Sequence, residues 1–253
     1  MGTTAQELPW LDGLTIGQVL AETAQKFPRR EALVFPQSGV RMNYTEFAGV
    51  VREVAKGLLA LGIQPGEHVG IWATNLPEWV LLQYGAASIG VVLVTINPAY
   101  RPFELRYTLE QSDVVALFLA DQFKSSNYSI FGKACPEIAQ AHDGKTSCAS
   151  FSKLRYAIAI KPNAPEGYLA WNAMIEAGRK IEDSELENIA KKLKAGDVIN
   201  IQYTSGTTGF PKAAMLTHRN ILMNGWYVTG CQNISEEDRM LHPRAVLPFA
   251  SAA

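Results

Sequence analysis

A chain of 253 residues, 47% hydrophobic and 19% charged, is long enough to bury a core as one large domain or two small ones. Its formal net charge of −1 provides no field that would draw nucleic acid or an anionic membrane surface. Cys135, Cys148 and Cys231 form no C-x-x-C pair and no histidine cluster completes a metal site, so they read as ordinary thiols of a reducing, cytoplasmic compartment.

Residues Met1–Glu7 lack the basic flank and apolar core of an export signal. Met1-Gly2 opens like a myristoylation site, but Gln6 stands where Ser or Thr is needed. The longest apolar stretch, Gly85 to Ile96, is too short to cross a bilayer.

Thr15 can cap a helix carrying Ile16, Val19, Leu20 and Phe27, which stops at Pro28. Residues 31–35 and 40–44 predict two short strands around a Pro36–Gly39 turn. Thr45 starts a second helix with Phe47, Val50, Val51, Val54, Leu58 and Leu61 on one face, ended by Gly62.

Pro65-Gly66 turns the chain into a strand at 68–73. Asn75 caps a helix running to Ile89 with Pro77 in its first turn. The β-branched run 91–96 predicts a strand covered on both faces, and Asn97-Pro98 breaks it as a structural turn. A helix over 102–112 and a strand over 113–120 follow, whereas 122–152 shows no periodicity. Residues 154–160 predict a strand, and Ser184 with Glu187 a capping box for a polar helix ending at Gly196. Strands alternating with amphipathic helices argue for parallel βαβ units, whose ligands bind beyond the carboxyl ends of the strands.

The densest chemistry lies at Tyr203-Thr-Ser-Gly-Thr-Thr-Gly-Phe-Pro-Lys212, between an apolar strand at 197–203 and a helix from Thr217. Glycines let backbone N–H groups approach a ligand, hydroxyls donate hydrogen bonds, and lysine adds a compact charge. Strand, glycine-rich loop and helix in succession is an arrangement that gathers amides around phosphate oxygens. The stretch fails the P-loop pattern, because Phe210-Pro211 separates Gly209 from Lys212 and Ala213 follows the lysine. His218, early in the next helix, reads as a helix-surface or capping residue.

This decapeptide resembles the phosphate-loop signature of the adenylate-forming (AMP-binding) superfamily, which includes the acyl-CoA synthetases; Ala213 departs from the glycine usual there. Tyr44-Thr45 before a long helix, Pro65-Gly66-Glu67 before a strand, and Val94-Thr-Ile-Asn-Pro98 are similar to acyl-CoA synthetases in order and spacing. The resemblance covers about Leu14 to Asp238. It implies an α/β fold of parallel-sheet βαβ layers, the first part of the large N-terminal domain of such an enzyme. Residues 1–253 then form a partial N-terminal domain. Residues 239–253 diverge, and the C-terminal domain, the Mg²⁺-binding glutamate and the catalytic lysine lie outside the chain.

The implied activity is ATP-dependent conversion of a fatty acid to an acyl-adenylate and then an acyl-CoA thioester. Thr204, Ser205, Gly206, Thr207, Thr208, Gly209, Phe210, Pro211 and Lys212 would form the nucleotide-phosphate site. ATP, Mg²⁺ and coenzyme A would take part, with no nucleic acid and no transmembrane segment; peripheral membrane contact is compatible with the sequence. A sheet cut partway leaves an unpaired edge, so the isolated chain is expected to be marginally stable and inactive. The alternative from another class is a non-catalytic nucleotide-binding or interaction protein that keeps the loop without the chemistry.

Overall fold

A computed structural model of the chain describes residues 9–121, 126–161, 163–204 and 211–240. The N-terminal segment forms helix α1 (Ile16–Lys26), whose N-cap Thr15 and Gln18 make a reciprocal capping box. Strands β1 (Glu31–Phe35) and β2 (Val40–Asn43) pair antiparallel as the sequence predicts. Helix α2 (Tyr44–Ala60) starts earlier than expected, because Asn43 and not Thr45 supplies the N-cap, accepting a hydrogen bond from Glu46 N–H.

Strand β3 (His68–Trp72) leads to α3 (Pro77–Ser88), then β4 (Val92–Thr95), α4 (Pro102–Ser112) and β5 (Val114–Leu119). The N-cap of α3 is Leu76, not Asn75, and it makes no side-chain cap; Pro77 pre-sets the first helical φ instead. The aperiodic segment contains α5 (Asn127–Ala134) and a 3₁₀ turn at Pro136–Gln140, neither foreseen.

Strand β6 (Tyr156–Ala159) follows, then a two-residue β7 (Leu169–Ala170) and α6 (Trp171–Gly178). Helix α7 (Asp183–Ala190) begins one residue before the expected cap Ser184 and stops well short of Gly196. Asp183 is held there by Arg52 and Lys56 of α2, at 2.9 and 2.8 Å. Strand β8 (Val198–Thr204), strand β9 (Lys212–Thr217) and helix α8 (His218–Cys231) complete the order.

The main sheet has the order β7-β6-β5-β3-β4-β8-β9, parallel throughout except for the antiparallel β8–β9 pair. Alternate side chains build the two faces. Ile71, Leu93, Phe118 and Ile158 pack against α2, α3 and α6, whereas Val94, Leu117, Leu119 and Ala159 pack against α4 and α5. Helices α2 and α6 approach so closely that a methyl group on Gly178 would lie 2.6 Å from the backbone nitrogen of Gly57. From β3 the chain crosses to one neighbour, β4, and then back past β3 to β5 on its other side. The order therefore reverses between β3 and β5, and sheets of this kind take ligands at the carboxyl ends of the strands beside such a point.

Candidate functional site

Strand β8 forms because Val198, Ile199 and Ile201 are apolar residues placed for both faces, Ile199 against α1 and α8, Ile201 against the α4–α5 side. It runs parallel to β4, with Leu93 opposite Asn200 and Thr95 opposite Gln202. Its carboxyl end therefore emerges beside that of β4, one strand from β3. Thr204 closes β8 at this rim, on the far side of β4 from β3.

A strand precedes the helix expected from Thr217, and that helix forms as α8 with Thr217 as its N-cap. Lys212 to Thr217 returns antiparallel along β8, with Thr204 opposite Lys212, Tyr203 opposite Ala213 and Val198 opposite Thr217. The strand–loop–helix arrangement is thus corrected to strand–loop–strand, with α8 starting only after the chain has crossed back to the amino end of β8. The six-residue β9 satisfies the backbone groups of β8 on the side away from β4, which a direct helix would leave unpaired.

Among the nine expected site residues, Ser205, Gly206, Thr207, Thr208, Gly209 and Phe210 lie outside the described residues. Pro211 and Lys212 follow them, and Lys212 is solvent-exposed at the first position of β9, in register with Thr204. The structure thus holds the two ends of the loop together across one strand pair.

The rim beside the hairpin is firmly built. The fully buried Trp72 donates its indole N–H to the carbonyl of Asn97 at 3.1 Å. The Asn97 side chain in turn accepts the N–H of Ala99 at 2.9 Å, an Asx-type turn that accords with a structural role for Asn97-Pro98. Thr95 Oγ1 donates to the Ile201 carbonyl at 3.4 Å. Tyr203 packs with Tyr100 against the α4–α5 core, and burial pushes its phenol above the ordinary value.

His218 is not at the surface. It is fully buried at the start of α8, where its Nδ1 accepts the N–H of Ile16 at 3.1 Å. It caps a helix, but α1 and not its own: the first-turn amide of α1 would otherwise be orphaned. Thr217 caps α8 in a reciprocal box with Asn220. Burial lowers the His218 pKa to about 4, opposed by the nearby Asp197, so the ring is neutral and Nε2 carries the proton, without a hydrogen-bond partner among the described residues. Nothing local in the sequence signals this bond, which joins residues 202 positions apart.

Arg219 adds an ion pair to Asp12 at 2.7 Å. Beyond that pinned first turn α8 is weakly packed: Trp226, Tyr227 and Val228 are exposed, and Ile16, Tyr84, Ile221 and Trp226 help to line an apolar groove of about 290 Å³.

Comparisons with known proteins converge on one family. The model of the AMP-binding enzyme family matches residues 20–251. Among curated relatives, YngI of Bacillus subtilis (strain 168), which carries a provisional acyl-CoA synthetase name, is 40% identical over 93% of this chain and 42% of its own length. The mitochondrial medium-chain acyl-CoA ligase ACSF2 of Danio rerio is 38% identical over 86% of this chain and 36% of its own.

Among solved structures, the inhibitor-bound N-terminal domain of FACL13 from Mycobacterium tuberculosis aligns with a TM-score of 0.64 and 26% identity, covering 85% of this chain and 47% of that one. The long-chain-fatty-acid–CoA ligase FadD1 from Archaeoglobus fulgidus shares the fold at a TM-score of 0.67 and 23% identity, over 94% of this chain and 43% of that one. This chain therefore spans about two fifths of the length of the curated relatives it matches. With an N-terminal α/β domain of the same architecture and a family match across more than nine tenths of its residues, the chain belongs to the AMP-binding enzymes.

Proposed function

We propose that this chain carries the ATP phosphate-binding part of a carboxylate–CoA ligase that activates an aliphatic carboxylic acid as its acyl-adenylate. The observation that carries the reading is the hairpin. Its hydroxyl- and glycine-rich tip begins at the carboxyl rim of the parallel sheet and ends at an exposed lysine. The family match favours this reading over a non-catalytic binding protein. The preference for a fatty acid is supported by relatives named medium-chain acyl-CoA ligases.

A carboxylate is a poor electrophile because its charge is spread over two oxygens. When it displaces pyrophosphate from the α-phosphorus of ATP, the resulting mixed anhydride has a good leaving group, AMP, which a thiol such as coenzyme A can displace. The residues of this chain serve the first step. Ser205, Thr207 and Thr208 donate O–H hydrogen bonds to the β- and γ-phosphate oxygens, Gly206 and Gly209 allow close approach of backbone N–H, and Lys212 offsets charge on the departing pyrophosphate. Thr204 and Pro211 flank the loop at the ends of the two paired strands. The stretch from Thr204 to Lys212 contains no carboxylate. The carboxylate through which Mg²⁺ is usually held in nucleotide sites would therefore come from outside this stretch.

The chain spans only part of its relatives, so binding is a more direct test than turnover. Titration calorimetry with pyrophosphate and with ATP is expected to show saturable binding to the chain, weakened about 10–100-fold in Lys212→Ala, the range for one charge-assisted hydrogen bond. Equal affinity of the variant and the unmodified chain would overturn the assignment. Carboxylate-dependent ATP–pyrophosphate exchange over a panel of acids of increasing chain length then tests the substrate class.

A further inference from the structure

The segment without sequence periodicity brings together three side chains that the proposed adenylation chemistry does not use. Cys135 lies just after α5, Glu137 in the 3₁₀ turn that follows, and Cys148 in a bridged turn opposite Phe151. Their sulfur and carboxylate ligand atoms all lie within 4.8 Å of one another. Both cysteines are buried within the α4–α5 core, and both are free thiols.

Glu137 uses one carboxylate oxygen to accept the N–H of Ala149 at 3.0 Å. Its other oxygen, Oε2, is shielded from solvent and has no N–H or O–H donor among the described residues. The two thiols lie close enough to this carboxylate to interact with it, and Cys135 Sγ also lies 3.7 Å from Thr146 Oγ1. The immediate neighbours of this half-buried carboxylate are two potential soft ligands.

We propose that Cys135, Cys148 and Glu137 form a binding site for a thiophilic divalent cation of the zinc class. Thiolate sulfurs at about 2.3 Å and a carboxylate oxygen at about 2.0–2.2 Å from Zn²⁺ set ligand–ligand separations slightly under 4 Å. The three atoms need only close inwards by fractions of an ångström to meet that geometry. A fourth, tetrahedral position is left for water. Two sulfurs with one carboxylate favour Zn²⁺ or Cd²⁺ over Mg²⁺ or Ca²⁺, which prefer an all-oxygen shell.

Binding leaves the charge and protons balanced: M²⁺ and two S–H groups give a bis-thiolate carboxylate complex of charge −1 and two released protons. Because both thiols lose a proton on binding, uptake strengthens as pH rises. A disulfide between the cysteines is the competing chemistry of the pair. It would use the two sulfurs alone, whereas the cation also engages the Glu137 carboxylate.

The test uses the full chain carrying Cys231→Ser, which removes the exposed thiol. The reduced, metal-free protein is titrated with Cd²⁺ and followed by ultraviolet thiolate-to-metal charge transfer and by proton release. One Cd²⁺ per chain and two protons per metal are expected, with Zn²⁺ displacing Cd²⁺ and raising Tm. Cys148→Ser should abolish the band. Glu137→Gln, which keeps the shape of the side chain, should weaken binding by at least ~10-fold while the apo Tm shows the fold intact. The proposal is overturned if the reduced protein takes up no metal, if oxidation yields only a disulfide in a protein that never bound Cd²⁺, or if Glu137→Gln binds as tightly as the parent.

Discussion

Strands β5 and β9 belong to the same sheet and have the same length, six residues. Every residue of β5 is buried, whereas the first four residues of β9 are exposed. Helices repeat the contrast: α3 buries eight of its twelve residues, while α8 buries only His218 and Ile221 out of fourteen. The β3–β6 block, covered by helices on both faces, holds the packing energy of the molecule. Strand β9 and helix α8, which follow the phosphate-type loop, bury few residues, whereas β8 ahead of it is buried and paired to β4. Elements that bind ligands are commonly drawn from the less stable part of a fold, and here the two roles separate along the sheet.

That separation breaks if a change in one block shows up in the other's property. The largest effect is expected at Gly178, where α6 meets α2. A methyl group there would lie 2.6 Å from Gly57 N and 2.8 Å from the carbonyl carbon of Lys56, backbone atoms that no rotamer change can move aside. Gly178→Ala should cost about 3 kcal/mol, measured by chemical denaturation. Nucleotide affinity of the remaining folded protein should be unchanged. Lys212→Ala should do the reverse: a loss of phosphate affinity corresponding to ~1.5–3 kcal/mol with Tm unaltered, because the side chain is exposed. If both variants lose stability and affinity together, the two regions are one cooperative unit.

The sheet block was largely legible in the sequence because its signals are local. A fully buried parallel strand needs a β-branched run such as Val91–Ile96, and α2 shows its apolar face at helical spacing. The hairpin was misread for a related reason. Lys212-Ala-Ala-Met-Leu-Thr217 has neither the alternation of a half-buried strand nor Gly-rich bounds, and its strand character comes from pairing with β8, a tertiary fact. The phosphate-type loop was legible only as chemistry: its residue types suggest a phosphate site, while its place at the rim required the β4–β8 register. Cys135, Glu137 and Cys148 escaped because a 3₁₀ turn and a short bridged turn bring them together, and such turns leave no periodic trace.

His218 joins the two regions, and its effect is smaller and depends on pH. Its Nδ1 accepts the Ile16 amide only when that nitrogen is unprotonated. With its pKa lowered to about 4 by burial, against about 6.5 in the unfolded chain, the neutral ring favours the folded state above pH 6.5. That contribution is lost as pH falls from 6.5 towards 4, because the unfolded chain takes up the proton first. Roughly 2 kcal/mol should disappear between pH 7 and pH 5. His218→Ala should cost about 2 kcal/mol at pH 7, from the orphaned amide and the cavity, and should flatten this part of the profile. An unchanged pH dependence would mean that His218 titrates normally and the bond to α1 does not hold in solution.

The sharpest form of the comparison uses a single register pair. Ile201 of β8 and Met215 of β9 stand opposite each other, so their side chains project from the same face of the sheet. Yet Ile201 is 5% exposed and Met215 is 59% exposed. Threonine has high strand propensity, so the same replacement at each position holds backbone preference roughly constant and isolates burial. Ile201→Thr removes apolar volume and buries a hydroxyl, and should cost about 2 kcal/mol. Met215→Thr gives up little buried surface and should stay within about 0.5 kcal/mol. A large loss at Met215 would show that β9 is covered in solution and that the stable block extends to the edge of the hairpin. A small loss at both would mean that β8 itself is loosely held, and the boundary between the two regions would shift inwards to β4.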